Sequence, residues 1–287
     1  MAWAKVLAEV DGGPASEAVV RVALRIGQDF DARVELLHVV VSDEETIPVV
    51  AEGMSSGAVG KMLESLAEQR QIRAETAERL YRTLCVDAGL ATCEPDAAAA
   101  PGQFRVAFRR LEGRESDEVA RRGRLADLVV VGGRSAEAGF SAALEAAIFG
   151  TGRPLLMVPE QAPERLGGSI AIAWDGTLGA ARAAGAALPM LGRAEKVIVL
   201  TADMEKFGAK PSALADYLAE HGIDARTWAF LPDDRKLGEQ LLAEAEEAGA
   251  DMLVMGAYGH SRLREMVLGG VTQSVTAKAT IPVLMTH

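Results

Sequence analysis

The feature that most constrains this chain is that it repeats itself. KVLAEVDGG (Lys5–Gly13) returns as SIAIAWDGT (Ser169–Thr177), with Asp11 matching Asp175, and ARVELLHVV (Ala32–Val40) returns as AEKVIVLTA (Ala194–Ala202). LADLVVVGG (Leu125–Gly133) returns as GADMLVMGA (Gly249–Ala257), and RPLLMVP (Arg153–Pro159) as IPVLMTH (Ile281–His287). A sequence that recurs in the same order must bury its apolar runs in the same way twice, so one fold has to serve both halves. The runs are short, nearly unbroken and rich in β-branched residues, and helical patterns such as PASEAVVRVALRIGQDF and LGEQLLAEAEEAGA lie between them. Strands covered on both faces read this way, because alternation with polar residues is required only where one face meets water. The pattern predicts an α/β protein of two repeated doubly wound parallel sheets.

The 287 residues have room for two ordinary domains. The polar stretch EQAPERLGG (Glu160–Gly168), with Pro163 and paired glycines, marks the boundary and gives domains over 1–160 and 168–287. The copies differ in length: Asp11 to Asp127 spans 116 residues, Asp175 to Asp251 only 76. The surplus falls mostly in residues 42–84, where EGMSSGAVG leads into a run of strong helix formers with Met62, Leu63, Leu66, Ile72, Leu80 and Leu84 as its apolar positions. That segment is either a lid over a neighbouring cleft or a packing and oligomerisation helix.

A net charge of −11 disfavours nucleic acid and anionic membrane as partners. Arg105 to Arg124 holds seven arginines, but Glu112, Glu115, Asp117 and Glu118 interleave with them, which reads as a solvated helix face. No uncharged apolar run approaches the roughly 18 residues a membrane helix needs. Lys5, Glu9 and Asp11 interrupt the N-terminal segment where an export signal would be apolar, so a cytoplasmic location with Cys85 and Cys93 as free thiols is expected.

The second copy ends in MGAYGHSRLREMVLGGVTQSV, with glycines at Gly256, Gly259, Gly269 and Gly270 directly after an apolar run. In parallel α/β sheets ligands bind beyond the carboxyl ends of strands, and Asp175, Ala202 and Gly256 are expected at three such ends. Gly269 and Gly270 precede VTQSVTAKA, a helix whose first N–H groups and positive end favour an anion such as phosphate. Thr272 adds a hydroxyl. His260 either meets a phosphate oxygen when protonated or sits in solvent; Ser261 is read as a helix cap, and Arg262 and Arg264 as surface residues. Glycine spacing alone does not separate a phosphate cradle from a strand-to-helix turn.

The pattern G-x2-G-x9-G after DMLVMG and before V-T-x-x-V and P-V-L resembles the universal stress protein family, as do KVLAEVDGGPASEAVVRVAL and VELLHVV in the first copy. The resemblance covers essentially the whole chain as a tandem pair. It implies an adenine-nucleotide alpha-hydrolase-like fold, a stress-response role that is regulatory rather than catalytic, and ATP or a similar nucleotide as ligand, with Mg²⁺ only alongside it. In nucleotide-binding members the first-strand aspartate faces the adenine and ribose, and the glycine motif holds the phosphates. Carried over residue by residue, this implicates Asp175, Ala202, Met255, Gly256, Gly259, Gly269, Gly270, Val271 and Thr272. The family's Ser or Thr after the last glycine is Gly270 here. A hydrogen bond to a charged acceptor is worth roughly 1.5–3 kcal/mol, so its loss weakens binding about ten- to hundred-fold. Antiparallel pairing of the last strands, usual in the family, makes the tandem either a self-contained pseudo-dimer or a unit that pairs with a second tandem.

The first copy departs further. VGGRSAEAGFSAALEAAIFGTGRP keeps Gly132 but has Ser135 in place of the second glycine, and Ser141 and Ala142 stand where Gly269 and Gly270 would be. Asp11 and Val39 still match, so an adenine pocket without a phosphate cradle is the weaker candidate there. DGGPAS (Asp11–Ser16) lacks the serine and aspartate of a pyrophosphatase loop, no G-x4-G-K-[ST] loop is present, and His38, His221, His260 and His287 have no metal-ligand spacing. His38 is read as a structural strand-end residue. No nucleophile, base and orienting group can be assembled, so efficient catalysis is not expected; slow ATP hydrolysis would need only a bound nucleotide and a metal. The rival to nucleotide binding is a nucleotide-independent interaction module for protein partners or another small ligand.

Overall fold

The computed structural model describes residues 3–41, 56–133, 141–202, 210–257 and 270–287. Its first half runs β1 (Lys5–Glu9), α1 (Ser16–Asp29), β2 (Arg33–Val41), α2 (Ser56–Tyr81), β3 (Arg105–Gly113), α3 (Glu115–Gly123), β4 (Leu128–Gly132), α4 (Ala142–Gly150) and β5 (Leu155–Val158). The second half runs β6 (Ser169–Ala173), α5 (Leu178–Leu191), β7 (Lys196–Ala202), α6 (Pro211–Glu220), β8 (Ala225–Phe230), α7 (Leu237–Glu247), β9 (Met252–Gly256), α8 (Gly270–Lys278) and β10 (Val283–Thr286). The two halves use the same elements in the same order, with α2 (26 residues) standing where the shorter α6 (10 residues) stands.

All ten strands form one sheet, ordered β3-β2-β1-β4-β5-β10-β9-β6-β7-β8. Each half is wholly parallel, and the halves meet at β5 and β10, which pair antiparallel through Leu156 and Leu284. Antiparallel pairing there turns one half end for end, so the carboxyl ends of the two sets of strands lie on opposite edges of the sheet. Successive strand residues alternate between two apolar layers. Val6, Ala8, Ile170 and Ile172 pack with α1, α2, α5 and α6 on one face; Leu7, Ala171, Leu253 and Met255 pack with α3, α4, α7 and α8 on the other. Helices on both faces explain why the strands carry no polar alternation.

The repeat extends to polar detail. Asp127 Oδ2 accepts from the Ala4 and Lys5 amides at 2.8 and 3.0 Å, and Asp251 Oδ2 accepts from the Gly168 and Ser169 amides at 3.1 and 3.2 Å. In both halves one carboxylate ahead of the fourth strand thus ties down the start of the first.

Two sequence expectations change in the fold. The arginine-rich stretch is not one helix face: Arg105–Gly113 is the edge strand β3, and only Glu115–Gly123 is helical. Its period-2 side chains turn Arg109 inward, where Arg109 Nε and Arg122 Nη1 reach Oε1 of Glu35 at 2.8 and 3.3 Å, with Lys5 Nζ 3.3 Å from Oε2. Glu35 is 1% exposed. Burial pushes its carboxyl up, but Lys5 and Arg109 outweigh that and hold it below the usual glutamate range. In the long helix α2, Ala74, Ala77 and Leu80 are buried, whereas Met62 and Ile72 are exposed at 38% and 54%. Burial begins at Ala74, and residues 60–73 are exposed or half-buried.

Candidate functional site at the strand switch point

Strand order reverses direction between β6 and β9, since β7 and β8 lie to one side of that pair and β10 to the other. A doubly wound sheet opens a crevice at this place, outside the carboxyl ends, because the connecting helices leave on opposite faces. α5 and α8 do so here.

Asp175 stands two residues past the end of β6. Its Oδ1 accepts from the Thr177 amide at 2.9 Å and from the Thr177 hydroxyl at 2.6 Å, while Thr177 Oγ1 accepts from the Ala180 amide at 3.3 Å as the cap of α5. Gly176 between them has φ +70°, which a side chain would strain. The sequence Asp-Gly-Thr thus folds itself into a tight acidic turn. On the neighbouring strand the Thr201 hydroxyl donates to the Trp174 carbonyl at 3.0 Å, fixing the β7 end on which Ala202 sits.

The same turn occurs in the first half. Asp11 Oδ1 accepts from the Gly13 amide at 2.7 Å and the Ser16 hydroxyl at 2.8 Å, and Gly12 has φ +75°. His38 takes the place of Thr201: its Nδ1 lies 2.7 Å from the Val10 carbonyl. A carbonyl only accepts, so Nδ1 carries the proton. Burial pushes His38 below the usual imidazole range against the opposing pull of that bond, so the ring is neutral. This is the structural strand-end role expected from sequence. The Val10 amide bonds Leu37 and the Trp174 amide bonds Leu200, so Val39 is the counterpart of Ala202.

Met255 is buried and Gly256 ends β9, paired with Thr286. The glycine there has a packing cause. A Cβ on Gly256 would lie 2.5 Å from the Gly179 carbonyl carbon and 2.8 Å from the Ala180 nitrogen, both backbone atoms of α5. Gly132 repeats the constraint against Ala15, at 2.7 Å. Both residues let a strand end approach a helix. Gly259, His260, Ser261, Arg262, Arg264, Gly269 and, in the first half, Ser135 lie outside the described residues.

Because β9 and β10 are parallel, α8 must start at the carboxyl edge and run back, which places its N-terminus beside the crevice. Gly270 is its first residue, exposed, and among the described residues no atom lies within 4 Å of where a Cβ would be. Val271 is half-buried and packs on the core of that face; Thr272 is 3% exposed, with its side chain enclosed by protein. The corresponding helix of the first half is closed by its own chain, as Ser141 Oγ accepts from the Leu144 amide at 3.0 Å. The crevice therefore brings Asp175, Ala202, Gly256 and Gly270 to one edge. Sequence reasoning missed Thr177 and Thr201, although an Asp-x-Thr just before a helical run carries the capping signal. Among the described residues no three of His, Cys, Asp or Glu gather as a metal site, and no helix is long and apolar enough to cross a membrane.

Two five-stranded doubly wound units, fused and joined edge to edge, define a tandem α/β protein with one switch-point crevice per half. Residues 3–150 and 168–287 each match the model of the universal stress protein family, and the chain belongs to that family. Universal stress protein Slr1230 of Synechocystis is 46% identical over 46 residues, 16% of this chain and 16% of its own length. Universal stress protein YxiE of Bacillus subtilis is 36% identical over 67 residues, 23% of this chain and 43% of its own length. The matches thus span less than half of either relative. Among solved structures, a universal stress protein from Archaeoglobus fulgidus aligns over 98% of this chain and 97% of its own, with TM-score 0.69 and 15% identity. A putative universal stress protein from Pseudomonas aeruginosa aligns over 99% and 93%, with TM-score 0.56 and 14% identity. At such identities the likeness is one of fold.

Proposed function

We propose that the second half binds an adenine nucleotide, ATP or a close relative, and that the protein acts as a regulatory, cytoplasmic stress-response component rather than as an enzyme. One observation carries this reading: β6 and β9 are parallel neighbours, so the Asp175 turn and the start of α8, which begins at a glycine, lie at the same edge of the sheet. An aspartate accepts hydrogen bonds from the amino and hydroxyl groups of a nucleoside, and the first amides of α8 have no intrahelical acceptor and donate to phosphate. With no metal cluster among the described residues, Mg²⁺ would be held chiefly by the phosphates. The β5–β10 seam supports a self-contained pseudo-dimer of the two halves.

The test is acid extraction of the purified full chain followed by chromatography, together with calorimetric titration of ATP with and without Mg²⁺. Adenine nucleotide in the extract, or saturable binding below millimolar, is the expected result. Neither signal at millimolar ATP overturns the proposal. That outcome would favour a nucleotide-independent interaction module, to which the missing hydroxyl at Gly270 also points.

A further inference from the structure

At the carboxyl edge of the first half, α2 lies against the Asp11 turn. Gly12, in the middle of the Asp11 turn, has the backbone of α2 against it: a Cβ there would lie 2.2 Å from the Arg73 carbonyl oxygen and 2.6 Å from the Arg73 Cα. The Arg73 guanidinium reaches back over the turn, with Nη1 3.8 Å from Asp11 Oδ2. One helical turn earlier, Arg70 Nη1 donates to the Val41 carbonyl at 2.9 Å, at the carboxyl end of β2. Two arginines three residues apart face the same way on a helix, so this side of α2 lies along the ends of β1 and β2 together. Ala74, Ala77 and Leu80, all buried, hold the helix there. At the far side of the same crevice Ser141 caps α4.

We propose that α2 is an internal occupant of the first half's switch-point crevice, with Arg73 engaging the Asp11 carboxylate that the second half presents, as Asp175, to a ligand. The inference rests on the second half's crevice being the ligand site. It makes the tandem asymmetric by construction: one crevice serves a nucleotide, and its duplicate is filled by the chain itself. The Arg73–Asp11 pair is partly exposed and weak alone, so the occupant is held by the helix packing and aligned by the arginines. Such a contact opens locally rather than with global unfolding.

Hydrogen exchange on the full chain, read by mass spectrometry, tests this without nucleotide. In Arg70→Glu/Arg73→Glu the new carboxylates face Asp11 and the Val41 carbonyl. Exchange is expected to speed up about ten-fold or more over residues 11–16 and 60–76, and to stay unchanged over 175–180 and 270–278. Arg73→Ala, which adds no repulsion, gives a smaller change at the same residues. Unchanged exchange at residues 11–16 in both variants overturns the proposal, as does an equal rise in both halves. Calorimetry on the wild-type chain separates the two claims. One ATP per chain, insensitive to Asp11→Ala, supports the internal occupant; two per chain overturn it. No binding overturns the nucleotide proposal alone and leaves exchange to decide on α2.

Discussion

The sharpest test of the nucleotide reading is to give back what Gly270 lacks. At the first position of α8 a serine hydroxyl would stand among the same amides that are proposed to meet phosphate. Gly270 is suited to the change: its φ lies outside the left-handed region, and a Cβ would meet no atom of the described residues within 4 Å. Gly270→Ser should therefore leave the backbone in place. One added hydrogen bond to a charged oxygen is worth roughly 1.5–3 kcal/mol, which predicts ATP affinity about ten- to hundred-fold tighter. Replacing a glycine in a helix also adds some stability, up to about 0.5 kcal/mol, whatever the ligand. The two effects are separated by titrating adenosine in parallel. The hydroxyl acts on phosphate, so ATP should gain and adenosine should not. Gly270→Glu, with a carboxylate at the same place, should weaken ATP and leave adenosine near its wild-type affinity. Equal ATP affinity in wild type and Gly270→Ser, or an equal gain for adenosine, refutes the placement of phosphate at this helix.

Three further outcomes follow from the packing. Glu35→Ala removes the buried carboxylate shared by Lys5, Arg109 and Arg122, of which Arg109 keeps Asp96 and Arg122 keeps Glu118, and urea unfolding at pH 7 should show a loss of about 1–3 kcal/mol. Since Glu35 is held below the usual glutamate range in the folded protein, its contribution is present above the unfolded glutamate pKa, about 4.3, and is lost as pH falls through the lower folded value; urea midpoints at pH 7 and pH 3 should differ less in the variant than in wild type. Gly256→Val forces its side chain into the backbone of Gly179 and Ala180, so circular dichroism melting should show destabilisation of at least about 1–3 kcal/mol whether or not nucleotide is present. Burial pushes the Cys85 thiol up to about 11, so at pH 8 a thiol reagent should label Cys93 first and reach Cys85 at a comparable rate only in denaturant.

Much of the fold was legible because strands buried on both faces announce themselves as β-branched runs, and each run appears twice. β1, β4, β6 and β9 all fall within the repeated runs. The arginine stretch was misread because interleaved charges look the same on a solvated helix and on an edge strand. The deciding residue, Glu35, lies in another strand 74 positions from Arg109. The candidate site was legible in its polar turn, since Asp175 organises residues within reach of its own side chain. The reason for Gly256 was not legible, because glycine spacing cannot say whether the close neighbour is a ligand or the first turn of α5. Nor was the Arg73–Asp11 contact, which requires a helix 62 residues downstream to lie back across the first strand.

The antiparallel seam gives these differences a common logic. With carboxyl ends on opposite edges of the sheet, the two crevices share no loop and no helix, so one can change while the other keeps its shape. Between its second and third strands the first half carries α2, 26 residues long, where the second half carries α6, 10 residues long. The duplicated Asp turns remain nearly superposable in their hydrogen bonds, Asp11 to Gly13 and Ser16, Asp175 to Thr177. What separates them is what lies against them. In the first half a helix backbone touches Gly12 and Ser141 caps α4; in the second, α8 begins at Gly270, and among the described residues no atom lies within 4 Å of where its Cβ would be. If the turn were kept only to shape the β1–α1 connection, Asp11→Asn would be as harmless as Asp175→Asn, because an amide oxygen accepts the same turn bonds. The internal pairing predicts otherwise: Asp11→Asn should loosen α2 in hydrogen exchange, whereas Asp175→Asn should change ligand affinity and leave exchange in the unliganded protein alone.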